Sequence, residues 1–244
     1  MVNVEQSKYF YARISGDYAL FTNPSTKGGG EKVSFSVPTR QALKGIVDAI
    51  YYKPTIINVI DEVKIINEIQ TETIGTRALL NNMSADLNYV SYLRDVEYLV
   101  KFHFIWNERR ADLIKDRNMN KHEAIMERAI KKGGRRDIFL GTRECVGLVS
   151  HLTSKEYQQT PSRYDGQTIS LGIMFHSFKY PTDAAEKLIS YYTDTVMKNG
   201  IITFKNQNEC EIVNELSTYA FKPAISIKNV DLEYDEYNQM FGGE

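Results

Sequence analysis

The stretch DVEYLVKFHFIW, residues 95–106, constrains this chain more than any other. Val96, Tyr98, Val100, Phe102, Phe104 and Trp106 stand on one side of an extended backbone, with Asp95, Glu97, Lys101 and His103 on the other. Alternation of that length marks a strand with one wholly apolar face, which is stable only inside a sheet whose apolar side is covered by another layer.

The neighbouring segments supply that setting. YFYARISGDYALF, residues 9–21, is rich in aromatic and β-branched residues and predicts a strand, followed by a Gly-rich turn at TKGGGEK. A helix follows, with Thr39 as N-cap. Its Ala42, Leu43, Ile46, Val47 and Ile50 form one stripe, and Pro54 stops it. TIINVIDEVKIINEI predicts a buried strand, and residues 70–88 read as loop, with Gly75, Asn81 and Asn82 as breakers. Beyond Trp106 comes a short helix, Lys121–Lys132, closed by Gly133 and Gly134, and then a strand at CVGLVSHL. The order β-α-β-β-α-β is that of a ferredoxin-like (RRM-like) split βαβ unit, here residues 1–152. Residues 153–244 predict a smaller antiparallel β-rich domain: a strand at TISLGIMFHSF, a helix over 182–198, an Asn199-Gly200 turn and a strand at IITFK. The fold class is therefore α+β.

Composition narrows the function. The 244 residues carry a net charge of −1, but it is unevenly spread. Between Arg109 and Arg136 ten Lys or Arg face four Asp or Glu, a local excess of six. A basic patch on a near-neutral protein points to a polyanion docked at one place, or else to a solvated helix face. No apolar run approaches a membrane span, and the N-terminus lacks a secretory h-region. Cys145 and Cys210 form no metal-ligand or redox spacing, in keeping with a reducing, cytosolic setting.

Within the basic patch, NKHEA is the locus with chemistry. Asn120 followed by Glu123 resembles a capping box, which would place Lys121 and His122 at the first two helical positions. Cations there oppose the helix dipole, a conflict that a bound phosphate would relieve. Histidine can transfer a proton and lysine can stabilise a phosphorane, so the pair suits cleavage of RNA by its own 2′-hydroxyl without a metal. The alternative is that His122 merely packs. His103, His151 and His176 are scattered, with no metal-ligand pattern. Behind the helix, GGRRDIFLGTREC predicts a hairpin presenting Arg135, Arg136 and Arg143, with Asp137 and Glu144 placed to orient them. Arg117, Lys131 and Lys132 extend the RNA-contacting set expected of this patch. Arg13, Lys27 and Lys32 are further cations able to face RNA. In AIYYKP the helical stripe carries Tyr51 to the core-facing side and leaves Tyr52 turned away. Spacing leaves Tyr51 open between core and catalyst.

Three strings bear a family resemblance: GDYALFTNPSTKGGGEKVSFSVPTRQALKGIVDAIYYKPTI, DRNMNKHEAIMERAIKKGGRRDIFLGTREC and LGIMFHSFKYP. They resemble the subtype I-C (Dvulg) branch of the CRISPR-associated family-five proteins, in the repeat-associated (RAMP) superfamily. The resemblance implies a ferredoxin-like domain with a smaller C-terminal β-domain. It also implies a metal-independent, cofactor-free endoribonuclease, cytoplasmic and unattached to membranes. Such an enzyme cuts CRISPR precursor RNA at the base of the repeat hairpin and leaves a 2′,3′-cyclic phosphate. It then stays on the 5′ handle of the crRNA, with the backbone and large subunits of the type I-C interference complex as partners. The family's catalytic tyrosine, lysine and histidine fall on Tyr51, Lys121 and His122. The rival expectation is a non-catalytic subunit that binds the crRNA handle. A generic RRM-type binder is disfavoured, because no strand carries an RNP1-like pattern.

Overall fold

The computed structural model describes residues 5–26, 31–79, 85–181, 186–218 and 230–241. The Gly-rich turn at 27–30, with Lys27, and the breakers Asn81 and Asn82 lie outside these residues.

The predicted central strand is the middle of the molecule. It runs longer than its apolar alternation, as β5 (Ala85–Trp106), and pairs antiparallel along one edge with β1 (Phe10–Ala19) and along the other with β3 (Ile56–Ile65). A short β2 (Lys32–Val33) runs parallel to its first half, and β4 (Gln70–Leu79) pairs with that half as an antiparallel hairpin. Asp95, with φ 50°, marks the break between this hairpin half and the core half. Val96, Tyr98, Val100, Phe102, Phe104 and Trp106 are all buried. They lie in one apolar cluster with Leu43, Ile46, Val47 and Ile50 of α1 (Arg40–Ile50) and with Met126, Ala129 and Ile130 of α2 (Met119–Lys131). Burying each such side chain contributes about 1.5–3 kcal/mol before the entropy of ordering it is subtracted.

Beyond α2 the chain forms β6 (Ile138–Phe139) and β7 (Val146–His151), and β7 pairs with the free edge of β1. Numbered by occurrence, the four strands β1, β3, β5 and β7 lie in the order 4-1-3-2, both helices on one face. This is the ferredoxin-like arrangement. The opposite face carries α3 (Ser154–Gln159), whose Tyr157 packs on Leu99 and Leu152.

The C-terminal strands are antiparallel. β8 (Thr168–Lys179) pairs with β9 (Lys187–Lys198), and β9 pairs with β11 (Ile212–Thr218). Asn199 and Gly200, both at positive φ, turn β9 into β10 (Ile201–Thr203), which joins the ladder to the edge of β3. A last helix, α4 (Val230–Phe241), follows. Among the described residues no helix is long and apolar enough to cross a membrane.

Two expectations are corrected. The helix expected over 182–198 is strand β9 from Lys187 onward, residues 182–185 lying outside the described set. Leu188, Tyr192 and Val196 recur at helical spacing, while the inward positions Ser190, Thr193 and Thr195 are polar and Met197 is the apolar exception, so period-2 burial left little apolar trace. The loop expected over 70–88 is the β4–β5 hairpin. Polar residues dominate β4, although Ile74 packs on the core, and cross-strand contacts such as Thr73 Oγ1 to Ser91 Oγ at 2.8 Å support its register.

Candidate active site

Tyr51 is placed by the way α1 ends. It is the C-cap residue, extended at φ −155°, ψ 120°, with its N–H bonded to Val47 O. Asn58 Nδ2 donates to the Tyr51 carbonyl at 3.0 Å and to Asp48 Oδ1 at 2.9 Å, fixing this corner. Successive side chains of extended backbone point to opposite sides. Tyr51 is accordingly 1% exposed and Tyr52 49%, which separates the two adjacent phenols.

The start of α2 differs from the expected capping box. Its N-cap is Asn118, whose Oδ1 accepts from Lys121 N at 3.0 Å. Lys121 is therefore the third helical residue and His122 the fourth, and the His122 N–H is already used by Asn118 O at 3.1 Å. Glu123 does not fold back on Asn120, because it accepts instead from the Lys8 backbone N–H at 2.9 Å. The misfit at the helix start is thus smaller than the sequence suggested, and the protein's own groups relieve it.

Those groups form one network. Tyr51 Oη lies 2.8 Å from His122 Nδ1, and His122 Nε2 lies 3.0 Å from the main-chain oxygen of Asp116. A carbonyl oxygen can only accept, so Nε2 carries the hydrogen, and Nδ1 of the neutral ring accepts from the phenol. The imidazole is fully buried, edge-on to Phe104 and Trp106. Asp116 ends a short 3-10 turn, Ala111–Asp116. Its carboxylate takes Lys121 Nζ at 2.5 Å and Thr55 Oγ1 at 2.6 Å, and its Oδ2 lies 3.4 Å from His122 Nε2. Hydrogen bonds from Lys121 and Thr55 pull the Asp116 carboxyl down to about 2, so it is ionised at neutral pH. Burial holds the Tyr51 phenol above its ordinary range; the Arg135 guanidinium opposes this and the Asp116 carboxylate reinforces it. Tyr51 therefore keeps its proton at rest and needs an acceptor before it can act as a base.

The structure thus brings Tyr51, Lys121 and His122 together across 71 residues of chain. Asp116 and Thr55 were missed. Neither stands at a motif spacing, and Asp116 reaches the ring through an irregular turn with no periodic signal.

Arg135 is also closer to the centre than expected. Gly133 and Gly134, at φ 82° and 107°, close α2 in a Schellman arrangement, with Gly134 N–H on Ala129 O and Gly133 N–H on Ile130 O. The next N–H, that of Arg135, bonds to Ile50 O at 3.2 Å, and its guanidinium lies 5.6 Å from the centroid of the Tyr51 ring. Lys131, Lys132, Arg136 and Arg143 are exposed. Among the described residues none of these, nor Arg135, is in an ion pair, so Asp137 and Glu144 do not hold the arginines as expected. Arg117 is placed differently: it is turned onto Glu108 and the carbonyl of Asn107, and its side chain is only 15% exposed. On the far face of the sheet Arg13 is paired with Glu97 at 2.5 Å and Lys101 with Glu62 at 2.9 Å, and His103 Nδ1 lies 2.8 Å from Asp61 Oδ2. An unpaired positive surface therefore lies on the α2 side, with Arg135 beside Tyr51.

Comparison with known proteins agrees with this architecture. The Cas5d model of the family described as CRISPR-associated protein (Cas_Cas5) matches residues 10–205. A curated relative, the CRISPR pre-crRNA endoribonuclease Cas5d of Mannheimia succiniciproducens, is 32% identical over 143 residues, covering 49% of this chain and 61% of the relative. The match spans less than two thirds of that relative's length. A crystallised CRISPR-associated protein is 60% identical, with a TM-score of 0.77 over 87% of this chain and 99% of its own. The functionally uncharacterized protein SMU1763c from Streptococcus mutans is 64% identical, with a TM-score of 0.76 over 87% of this chain and 100% of its own. The chain belongs to the Cas5d family of CRISPR-associated proteins.

Proposed function

We propose that this chain is a metal-independent endoribonuclease that cuts CRISPR precursor RNA within the repeat, using the adjacent 2′-hydroxyl as nucleophile. The observation that carries this reading is the buried Tyr51–His122 hydrogen bond set beside the exposed ammonium of Lys121. Tyr51 Oη takes the 2′-hydroxyl proton as its own proton passes to His122 Nδ1. The freed 2′-oxygen forms a bond to phosphorus, and the P–O5′ bond breaks. Lys121 balances the charge on the phosphorane oxygens, and the departing 5′-oxygen takes a proton from its ammonium. The products are a 2′,3′-cyclic phosphate and a 5′-hydroxyl. His122 returns its proton through Tyr51 and Lys121 regains one from solvent, which resets the site.

RNA must reach a phenol that is 1% exposed. The guanidinium over its ring provides the opening, because a bidentate contact with an incoming phosphate draws Arg135 off the aromatic face. The exposed Lys131, Lys132, Arg136 and Arg143 then hold the flanking strand. The cleaved 5′ handle stays on this surface, and the protein enters the type I-C interference complex with its backbone and large subunits.

A labelled CRISPR-repeat RNA hairpin incubated with the protein in EDTA is expected to be cut once, with a cyclic-phosphate end. Cleavage that depends on added Mg²⁺ refutes the metal-free chemistry. Replacing Arg135 and Arg136 together with alanine should weaken hairpin binding and reduce the slope of log K against log salt by about 2. An unchanged slope removes these arginines from the phosphate contact.

A further inference from the structure

Asp116 meets His122, Lys121 and Thr55, although it follows none of the expected motif positions. Its carbonyl oxygen accepts from His122 Nε2 at 3.0 Å and from Asn118 N at 2.9 Å, while its carboxylate binds Lys121 and Thr55. The residue is itself held from both sides. Thr55 lies just before β3, and next along the chain Arg117 is bonded to Asn107 O and Glu108. A carboxylate pinned in this way, 3.4 Å from the proton-bearing nitrogen of a buried imidazole, resembles the third partner that orients the base in a nucleophile–base pair.

We propose that Asp116 is a positioning residue for RNA cleavage: it fixes the His122 proton on Nε2, leaving Nδ1 to receive the Tyr51 proton, and its carboxylate balances the imidazolium so formed. This rests on the cleavage reading given above. In the step, the Tyr51 O–H bond breaks and an Nδ1–H bond forms, while the phenol oxygen gains the 2′-hydroxyl proton. The net result is one proton moved from the RNA to His122. A positive charge thus appears on a ring that is closed to water and packed by Phe104 and Trp106, where bulk solvent gives it little support. Asp116 is the acid beside it. The same carboxylate holds the Lys121 ammonium within reach of the ring, so one side chain sets the spacing between the proton acceptor and the phosphorane stabiliser.

The opposite role is physically possible. A carboxylate on Lys121 could instead be a placeholder for the scissile phosphate, to be expelled when RNA binds. The two roles predict opposite signs. The decisive comparison measures single-turnover cleavage of a labelled repeat hairpin at saturating protein in EDTA, hairpin affinity and Tm. It is made for the native chain, Asp116→Asn, Asp116→Glu and His122→Ala. Positioning predicts that Asp116→Asn slows cleavage about 10²-fold or more. Hairpin affinity should stay unchanged or tighten, since a negative charge beside the phosphate has gone, and Asp116→Glu should recover part of the rate. A rate for Asp116→Asn equal to or above native overturns the proposal in favour of the placeholder. A parallel fall in rate, affinity and Tm overturns it in favour of a purely structural role. His122→Ala separates the two layers: if that variant still cuts, the cleavage reading itself is lost. If it is inactive while Asp116→Asn cuts at the native rate, the inference about Asp116 alone is lost.

Discussion

A His122→Ala chain should leave a repeat hairpin uncut in EDTA while binding it nearly as well as the native protein. His122 lies beneath the proposed RNA surface, with no exposed atoms to contribute to grip, so its removal acts on the reaction and not on docking. The expected loss is about 10²–10⁴-fold from proton transfer alone. The substitution has a structural cost, because it empties a space walled by Tyr51, Phe104 and Trp106 and orphans the Tyr51 hydroxyl. Stability should drop by about 2–4 kcal/mol. Tyr51→Phe is the cleaner partner experiment. It keeps the ring, its packing and the Arg135 contact, and removes only the oxygen proposed to mediate between the 2′-hydroxyl and Nδ1. Its cleavage rate should fall about 10²-fold with little change in hairpin affinity. Native-like cleavage by Tyr51→Phe would mean that His122 reaches the RNA directly, which its burial opposes.

The second large effect concerns folding. Gly141→Ala should destabilise the protein by about 3 kcal/mol or more, lowering Tm by roughly 6–12 °C. Gly141 sits between β6 and β7 at φ 99°, and a Cβ there would stand 2.0 Å from the carbonyl oxygen of Leu20. That backbone cannot withdraw cheaply, because Leu20 N–H is bonded to Leu140 O at 2.9 Å and Leu20 is 2% exposed. Gly45 provides the contrast. It lies on the outer face of α1 with nothing within 4 Å of a built Cβ, so Gly45→Ala should stabilise by about 0.5–1 kcal/mol. Thermal unfolding of both variants decides the matter, and equal midpoints would contradict the steric reading of Gly141.

The half of the fold that could be read from sequence is the half where burial is apolar and periodic. The alternation ending at Trp106 and the stripe on α1 led to the ferredoxin-like order, because in both the buried positions are hydrocarbon. Strand β9 was misread for the converse reason: serine and threonine take most of its buried positions, with Met197 the exception, and Leu188, Tyr192 and Val196 fall at helical intervals. The projecting hairpin was missed because polar residues dominate β4, so the packing of Ile74 on the core left no periodic trace. At the site, Lys121 and His122 stood out as a charge conflict, yet their helical positions were two residues off. Two asparagines compete to cap that helix, and the contact of Glu123 with Lys8, which frees Asn118 to do so, joins residues 115 apart in sequence. Asp116 was invisible for a related reason, since its carboxylate and its carbonyl both reach the site from an irregular turn that has no periodic signal.

The bond from Arg135 N–H to Ile50 O has a consequence for where RNA is cut. Ile50 immediately precedes Tyr51, so the arginine proposed to meet the strand and the phenol proposed to activate it are fastened to neighbouring peptide units. Recognition and scission then share one ruler, whose graduations are the few ångströms between those two side chains. Lengthening the RNA outside the gripped phosphates should leave the cut at the same nucleotide, whereas an inserted nucleotide between grip and phenol should move it by one.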